Sequence, residues 1–400
     1  MSSKNIIVAF GGVSPEHEVS VLSAMQAIAS LEGTQFKIVP LYISKTGRWL
    51  TGKPLLDLEN FQDLDGLADK AAACTFSHDD VGKPVLQETQ KKGLFSSPEQ
   101  YPIRAVIPAF HGSEGESGAF QGLCEMFNIP YAGSGVLASS LGMDKVKAKE
   151  VCRAHGLPVV DDYNFYESEW EKDRESILHN AGKLNYPVMV KPATLGSSIG
   201  VAKAEDEAAV IEAVEHAFRY DNNLMIEQAV APLMEINCSV LGTSEKMQVS
   251  VCERPVGQAE TLSFDDKYRS EEGSQKGMAS ADRVIPADIS DELNDSIQRL
   301  SRNIFRIFRA SGVARLDFLV NADTQKVYFN EINTIPGSFS FYLWEESGMN
   351  MRELMLQLIE IALEQHQKKM GRIRSYDTNL LSEKAVKGIK GLKGMKQNPD

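Results

Sequence analysis

Three oxygen-bearing side chains stand in two apolar runs of this 400-residue chain. Asp317 lies in ARLDFLV, and Glu331 and Asn333 lie in KVYFNEIN. Residues two apart in a strand point to one face, so Glu331 and Asn333 share a side, with Asp317 on the neighbouring strand. An unpaired carboxylate inside an apolar run is costly. Two carboxylates and a carboxamide together form a hard oxygen donor set, suited to Mg²⁺ bridging the phosphates of ATP. The plain alternative is two solvated strand faces with ordinary surface acids.

A second feature is KPATLGSSIGV. Lys191 ends an apolar strand, and a loop of small residues follows. Its backbone N–H groups and the hydroxyls of Ser197 and Ser198 can close over phosphates, with glycine allowing close approach. Residues 196–200 also match G-x-S-x-G, the turn that presents a hydrolase nucleophile. The flanks read strand-loop-strand rather than strand-turn-helix, which rejects it. No GxxxxGK[ST] phosphate loop occurs. The third feature, GGVSPEHEVS, follows the first strand but lacks the third glycine of GxGxxG, so a dinucleotide site is weakly supported. Glu16 falls where a helix begins, placed either to hold a cationic amine or to act as a capping acid.

These residues need elements to hold them. IIVAF (6–10), the helix-like VSVLSAMQAIASL and the strand FKIVPLYI form a β-loop-α-β unit, the signature of a parallel sheet. Residues 46–100 are weakly patterned and read as an insertion of loops and short strands. AVIPAF (105–110) is another buried strand, followed by HGSEGESG. From Ser139 the pattern is helical, ending at Gly156 with Pro158 beyond. YPVMVKPA and IGVAKA read as strands joined by TLGSS, then come an amphipathic helix over 205–218 and the strand NLMIEQAV. After INCSVLG and MQVSVCERP comes a polar loop over 261–281. The helix DELNDSIQRLSRNIFRIFRASG, the strand pair VARLDFLV and KVYFNEIN, and a last helix over 351–368 complete the order. The expected fold class is α/β (α+β). Residues 1–138 form a domain with a parallel sheet, residues 139–226 a central part, and residues 227–368 a C-terminal part. Residues 369–400 form a basic tail, with the glycine period GIKGLKGMK, expected to be mobile.

Composition sets outer limits. With 42% hydrophobic and 24% charged residues, the chain is neither wholly disordered nor fibrous. No run approaches the roughly 18 apolar residues of a membrane span. Residues 1–9 show no signal peptide, so a cytoplasmic location is expected. The net charge is −13; residues 368–400 hold nine Lys/Arg against three Asp/Glu, or +6, leaving −19 on the body. An acidic body argues against nucleic acid as a partner. Five scattered cysteines, with no CxxC pair, argue against a disulfide framework or zinc knuckle. A nicotinamide-dependent oxidoreductase is supported only by the opening strand-glycine unit. A non-catalytic ATP-binding regulator would need Lys191, Arg315, Asp317 or Glu331 lost, and all are present.

Seven segments in chain order carry a resemblance: GGVSPEHEVS, HGSEGESGAFQG, YAGSGVLASSLGMDK, KPATLGSSIGV, DDKY, ARLDF and NEINTIPG. Together they resemble the ATP-grasp superfamily, and within it the D-alanine–D-alanine ligase family, over residues 5–365. The resemblance implies a three-domain architecture with an N-terminal Rossmann-like sheet, and ATP held between the central and C-terminal parts. It implies that ATP phosphorylates the carboxylate of a first D-alanine and that the amine of a second attacks the acyl phosphate, yielding D-alanyl-D-alanine for peptidoglycan precursors. Glu16 matches the residue that holds the first substrate's ammonium, with Ser197 and Tyr268 completing a hydrogen-bonded triad that fastens the lid loop, 261–281. Lys145 and Lys191 match the phosphate lysines, and Lys267 the loop lysine near the γ-phosphate. Ser198 joins the ATP site, and Glu227 and Glu235 match the adenosine-binding pair. Arg315 and the N–H of Gly337 match the oxyanion stabilisers; His111 and Glu116 fall near the acceptor. Two Mg²⁺ ions, or Mn²⁺ in their place, are implied on Asp317, Glu331 and Asn333, and so is a homodimer.

Three positions depart from the family pattern. Ser117 stands where an Asp is usual, and Glu235 is one residue further from Glu227 than expected. Residues 338–344 read SFSFYLW, so that Tyr342 falls where the family has the serine that binds the acceptor's carboxylate. A Tyr at 268 accompanies an amine acceptor in the family. D-alanine is therefore the expected second substrate, with D-serine, D-lactate or another amino acid as the alternative.

Overall fold

Strand β1 (Asn5–Gly11) is almost wholly buried, as its run of Ile, Val, Ala and Phe demands. It pairs in parallel with β2 (Lys37–Ile43) on one side and β6 (Gln100–Pro108) on the other, the helix His17–Ser30 making the crossover from β1 to β2. The expected parallel sheet is thus three strands wide. The insertion completes it: β3 (Trp49–Thr51), β4 (Ala72–His78) and β5 (Pro84–Glu88) pair antiparallel in turn, and β5 returns to β6, closing a six-strand barrel. Closure covers the backbone edges that β2 and β6 would otherwise expose. The structure, a computed structural model, describes residues 3–89, 97–256, 283–375 and Lys387.

A second sheet has the order β7 (Asp162–Tyr166), β10 (Asn223–Gln228), β8 (Val188–Pro192), β9 (Ala202–Ala204), antiparallel throughout. Helices Arg174–Gly182 and Glu207–Ala217 bury their apolar sides with Phe165, Val190 and Leu224. The third sheet runs β13 (Arg283–Val284), β12 (Met247–Pro255), β11 (Leu233–Thr243), β14 (Ser311–Asn321), β15 (Val327–Asn333). Its helix, Asp291–Ile307, starts where the Ser290 side chain accepts the Leu293 N–H, and packs Ile297, Ile304 and Phe305 on the sheet.

The helical pattern from Ser139 is broken at one point. Val136–Met143 and Lys145–Ala154 are separate helices, because Asp144 adopts an extended conformation and its side chain accepts the Lys147 N–H as an N-cap. The break makes Lys145 the first residue of a new helix. Cores do not follow the linear divisions. Ala138, Ala148 and Cys152 pack with Leu316 and Ile332 of the third sheet. Trp344, Leu354 and Leu358 join the core of β1 and its following helix. Met1–Leu363 is one compact unit and Glu364–Asp400 a second, which carries the end of the helix Met351–Met370. Most of the expected basic tail lies outside the described residues.

Candidate active site

A cavity of about 690 Å³ is walled by strands of the second and third sheets and by Glu16, His111 and Glu116, which follow β1 and β6 of the first. Among the described residues, every sequence candidate except Tyr342 lines it. Lys267 and Tyr268, with the loop 261–281, lie outside the described residues.

At one end the wall is made of paired charges. Lys191, at the end of β8, sets its Nζ 2.5 Å from Glu227 on β10 and 3.1 Å from the Asn330 side-chain oxygen. Lys149 reaches the other oxygen of Glu227, and both partners are fully buried. Burial alone would raise the Glu227 carboxyl, but the Lys149 and Lys191 ammoniums outweigh it and hold the group near 2. Lys149 was not among the sequence candidates. Its signal was the four-residue spacing from Lys145, which puts both on one helix face. Lys145 donates to the Leu195 carbonyl in the small-residue loop and lies 3.5 Å from Glu331. Glu235 joins this wall from β11.

The carboxylate strands meet in register. Asp317 of β14 is directly opposite Glu331 of β15, and Arg315 opposite Asn333. Arg315 grips Asp317 with two bonds of 2.7 Å, and Asn333 Nδ2 donates to the same carboxylate at 3.1 Å. Asp317 outweighs the effect of burial on Arg315 and lifts the guanidinium well above its ordinary value. Asp317, Glu331 and Asn333 thus stand at one wall as two carboxylates and an amide, oxygen donors of the kind a hard divalent ion takes, with both Asp317 oxygens held by Arg315.

Across the cavity, Ser197 donates its hydroxyl to Glu16, residues 181 apart in sequence. Glu16 makes no side-chain cap bond to the helix it precedes, so of its two sequence readings the capping role is the one the geometry does not support. Glycine is required beside it: a Cβ on residue 112 would lie 2.6 Å from Glu16 Oε2, and Gly112 has φ +68°. Gly112 N–H donates to Glu116 Oε2 at 2.9 Å. Burial, then repulsion from Glu16, raises Glu116 to about 7. His111 is pushed down to about 4 by burial, its Nε2 2.8 Å from Ser23 Oγ. Ser23 Oγ in turn accepts the Ser338 N–H at 3.0 Å, tying the turn after Gly337 to the first helix.

Known proteins share this frame. The sequence profile of the D-ala D-ala ligase N-terminus matches residues 5–134, and that of the D-ala D-ala ligase C-terminus matches residues 151–360. The D-alanine–D-alanine ligase of Thermosipho melanesiensis is 37% identical over 383 residues, 96% of this chain and 99% of its own. The chain belongs to the D-Ala-D-Ala ligase family. The solved structure of the D-alanine-D-alanine ligase from Coxiella burnetii superposes with a TM-score of 0.76 at 30% identity, covering 93% of this chain and 97% of that one. VanG, the D-Ala:D-Ser ligase from Enterococcus faecalis, gives 0.74 at 27% identity, covering 90% and 100%. The fold is therefore the ATP-grasp fold of the D-Ala-D-Ala ligases, with α/β content as expected. Among the described residues, no helix is long and apolar enough to cross a membrane.

The segment that departs from the D-Ala-D-Ala ligase pattern has an uncommon backbone conformation. Within the short turn Gly337–Ser340, Ser338, Phe339 and Ser340 all have φ between 50° and 56°. This left-handed run directs the next helix, Phe341–Glu345, so that Tyr342 is buried rather than facing the cavity. Tyr342, expected from sequence to contact substrate, is absent from the cavity lining, and its hydroxyl donates to Glu253 Oε1 at 3.1 Å. Glu253 is buried and also accepts from Asn237 Nδ2 at 3.0 Å and from Arg283 Nη1 at 2.9 Å. Asn237, Glu253 and Arg283 do line the cavity, and none was a sequence candidate. A carboxylate inside the strand MQVSVCERP was the available signal, by the same reasoning that marks Asp317.

Proposed function

We propose that the chain is an ATP-dependent ligase that joins two D-alanine molecules through an acyl phosphate, forming D-alanyl-D-alanine for peptidoglycan precursors. The observation that carries this reading is the Ser197–Glu16 hydrogen bond. It closes one cavity around an amine-binding carboxylate, a lysine cluster and a divalent-ion donor set.

Glu16 receives the ammonium of the first D-alanine, oriented by Ser197. Lys145, Lys191 and the loop with Ser198 hold the ATP phosphates, with Lys267 and Tyr268 assigned from resemblance alone. Glu227 and Glu235 take the adenosine end, Glu227 being kept ionised by its two lysines. Asp317, Glu331 and Asn333 would hold a divalent ion, which would supply charge neutralisation for phosphoryl transfer. We assign two Mg²⁺ ions there, with Mn²⁺ able to serve. The carboxylate oxygen of the first D-alanine takes the γ-phosphoryl group and ADP leaves. The amine of the second then attacks the acyl carbon, losing a proton as phosphate departs. Negative charge develops on the acyl oxygen, and the Arg315 guanidinium and Gly337 N–H are the fixed donors for it. His111 and Glu116 face the acceptor side, Glu116 titrating near 7 and His111 held neutral. Family resemblance supports a cytoplasmic homodimer.

A second reading keeps this mechanism with another acceptor. The altered segment 338–344 and the structural likeness to a D-Ala:D-Ser ligase favour it. Phosphate release with ATP and D-alanine, followed by mass spectrometry with equal D-alanine, D-serine and D-lactate, tests both. D-alanyl-D-alanine is the expected main product. Coupling only to another acceptor selects the second reading, and no ATP-dependent coupling removes both.

A further inference from the structure

By resemblance, Tyr342 stands where the family has the serine that binds the acceptor's carboxylate, and its hydroxyl is committed to Glu253 while Tyr342 itself is not part of the cavity lining. A carboxylate entering this end needs a different donor. Arg283 is the neighbouring cation on the cavity wall. Its guanidinium carbon sits 4.2 Å from the centroid of the Tyr342 ring, and its Nη1 is 2.9 Å from Glu253 Oε2. Stacking and ion pairing fix the plane of the fork. Glu253 is itself held by Asn237 and Tyr342, so the orientation is set by three residues on three elements. A guanidinium carries five N–H donors along more than one edge, so one side chain can meet two carboxylates at once. Arg315 and Arg254 on the same wall are ion-paired as well, with Asp317 and with Asp288 at 2.6 and 2.9 Å; what sets Arg283 apart is its contact with the Tyr342 ring.

We propose that Arg283, held by Glu253 and stacked on Tyr342, binds the carboxylate of the acceptor amino acid. Glu253 and Tyr342 are positioning residues for it. The proposal rests on the ligase reading above. It assigns acceptor choice to a cation that Tyr342 supports, where the family uses a hydroxyl.

The test compares D-alanine with D-alaninamide as acceptor, D-alanine being the only donor, with both products quantified by mass spectrometry. The wild-type chain is expected to prefer the acid. Arg283→Met should raise the acceptor KM and erase that preference by about 10–100-fold, the range of a lost charged hydrogen bond, while the KM for ATP stays within about twofold. Arg283→Lys, which keeps charge but loses the fork, should restore part of the preference. Because Arg283→Met strands Glu253 in the wall, Glu253→Gln with Arg283→Met is measured beside it. If neither folds, Arg283→Lys reads the same ratio. An acid-to-amide ratio unchanged in every folded variant overturns the proposal. Absence of coupling in the wild-type chain is a different outcome, because it removes the ligase reading itself.

Discussion

Around Lys191 and Glu331 the cavity wall is strand and helix; near Tyr342 the lining residues Asn237, Glu253 and Arg283 stand on strands as well, but the helix packed behind them is aimed by a turn. At the first end, charge partners face one another through strand register: Asp317 opposite Glu331, Arg315 opposite Asn333. Shifting any one of them means breaking a ladder. At the second end, three residues in an uncommon backbone region aim a short helix, and a cluster of Glu253, Arg283 and Tyr342 fills the space behind it. Such a turn can be rewritten without disturbing the sheet. Glu253 and Arg283 share the sheet of the first end, on β12 and β13, and only the helix behind them rests on a turn, the softer of the two supports.

The comparison breaks first if the stiff end proves soft. Lys149→Met leaves buried Glu227 with Lys191 alone and is expected to lower unfolding free energy by about 3–5 kcal/mol, read by urea titration. A loss no larger than that of a surface lysine would mean the cluster is not a rigid support. Next in size, Arg315→Ala should cut turnover by about 10²–10³-fold, with ATP affinity changed by no more than about threefold. An equal fall in both would make Arg315 a phosphate clamp rather than a donor to the developing charge. The softer end should respond less. Tyr342→Phe keeps the ring under Arg283 and removes one hydrogen bond to Glu253, so the acceptor KM should rise by about fivefold and the donor KM should not move. Matching rises at both substrates would show that the two ends are not separable.

A separate effect concerns pH. Glu116 titrates near 7 in the fold against an ordinary 4.5, so folding favours its protonated form. Its stabilising contribution is complete below 4.5 and is lost as pH rises through about 7. Thermal melts of the wild type and Glu116→Gln should therefore diverge across that window, the variant gaining relative stability at the upper end. Parallel curves would show that Glu116 is solvated in the fold.

The two ends also differ in how well they read from sequence. Period-two spacing in an apolar run is a local signal, and Asp317, Glu331 and Asn333 are visible through it without knowledge of tertiary packing. The small-residue loop after Lys191 is equally local. The partners of these residues are not: Lys149 reads as one of several lysines on a polar helix until the fold places Glu227 against it. The break at Asp144 is hidden for a similar reason, since a capping Asp between two helical patterns leaves the apolar periodicity almost continuous. Strand β7, DYNFY, carries too few apolar residues to announce itself, and pairing with β10 decides it. At the acceptor end, the family resemblance marks Tyr342 as unusual, but nothing local tells which way a run of left-handed residues will turn it.

That run has a consequence for how this chain can change. None of Ser338, Phe339 and Ser340 is glycine, and each carries a conformational cost on the order of 1–3 kcal/mol. Ser340 adds a buried hydroxyl with no hydrogen-bond partner among the described residues. Glycine at 340 would relieve both costs, so a search for thermostable variants should find this position early. The same substitution would slacken the lead into the helix beneath Arg283. Selection for heat tolerance and selection for a particular acceptor therefore pull on the same few residues in opposite directions.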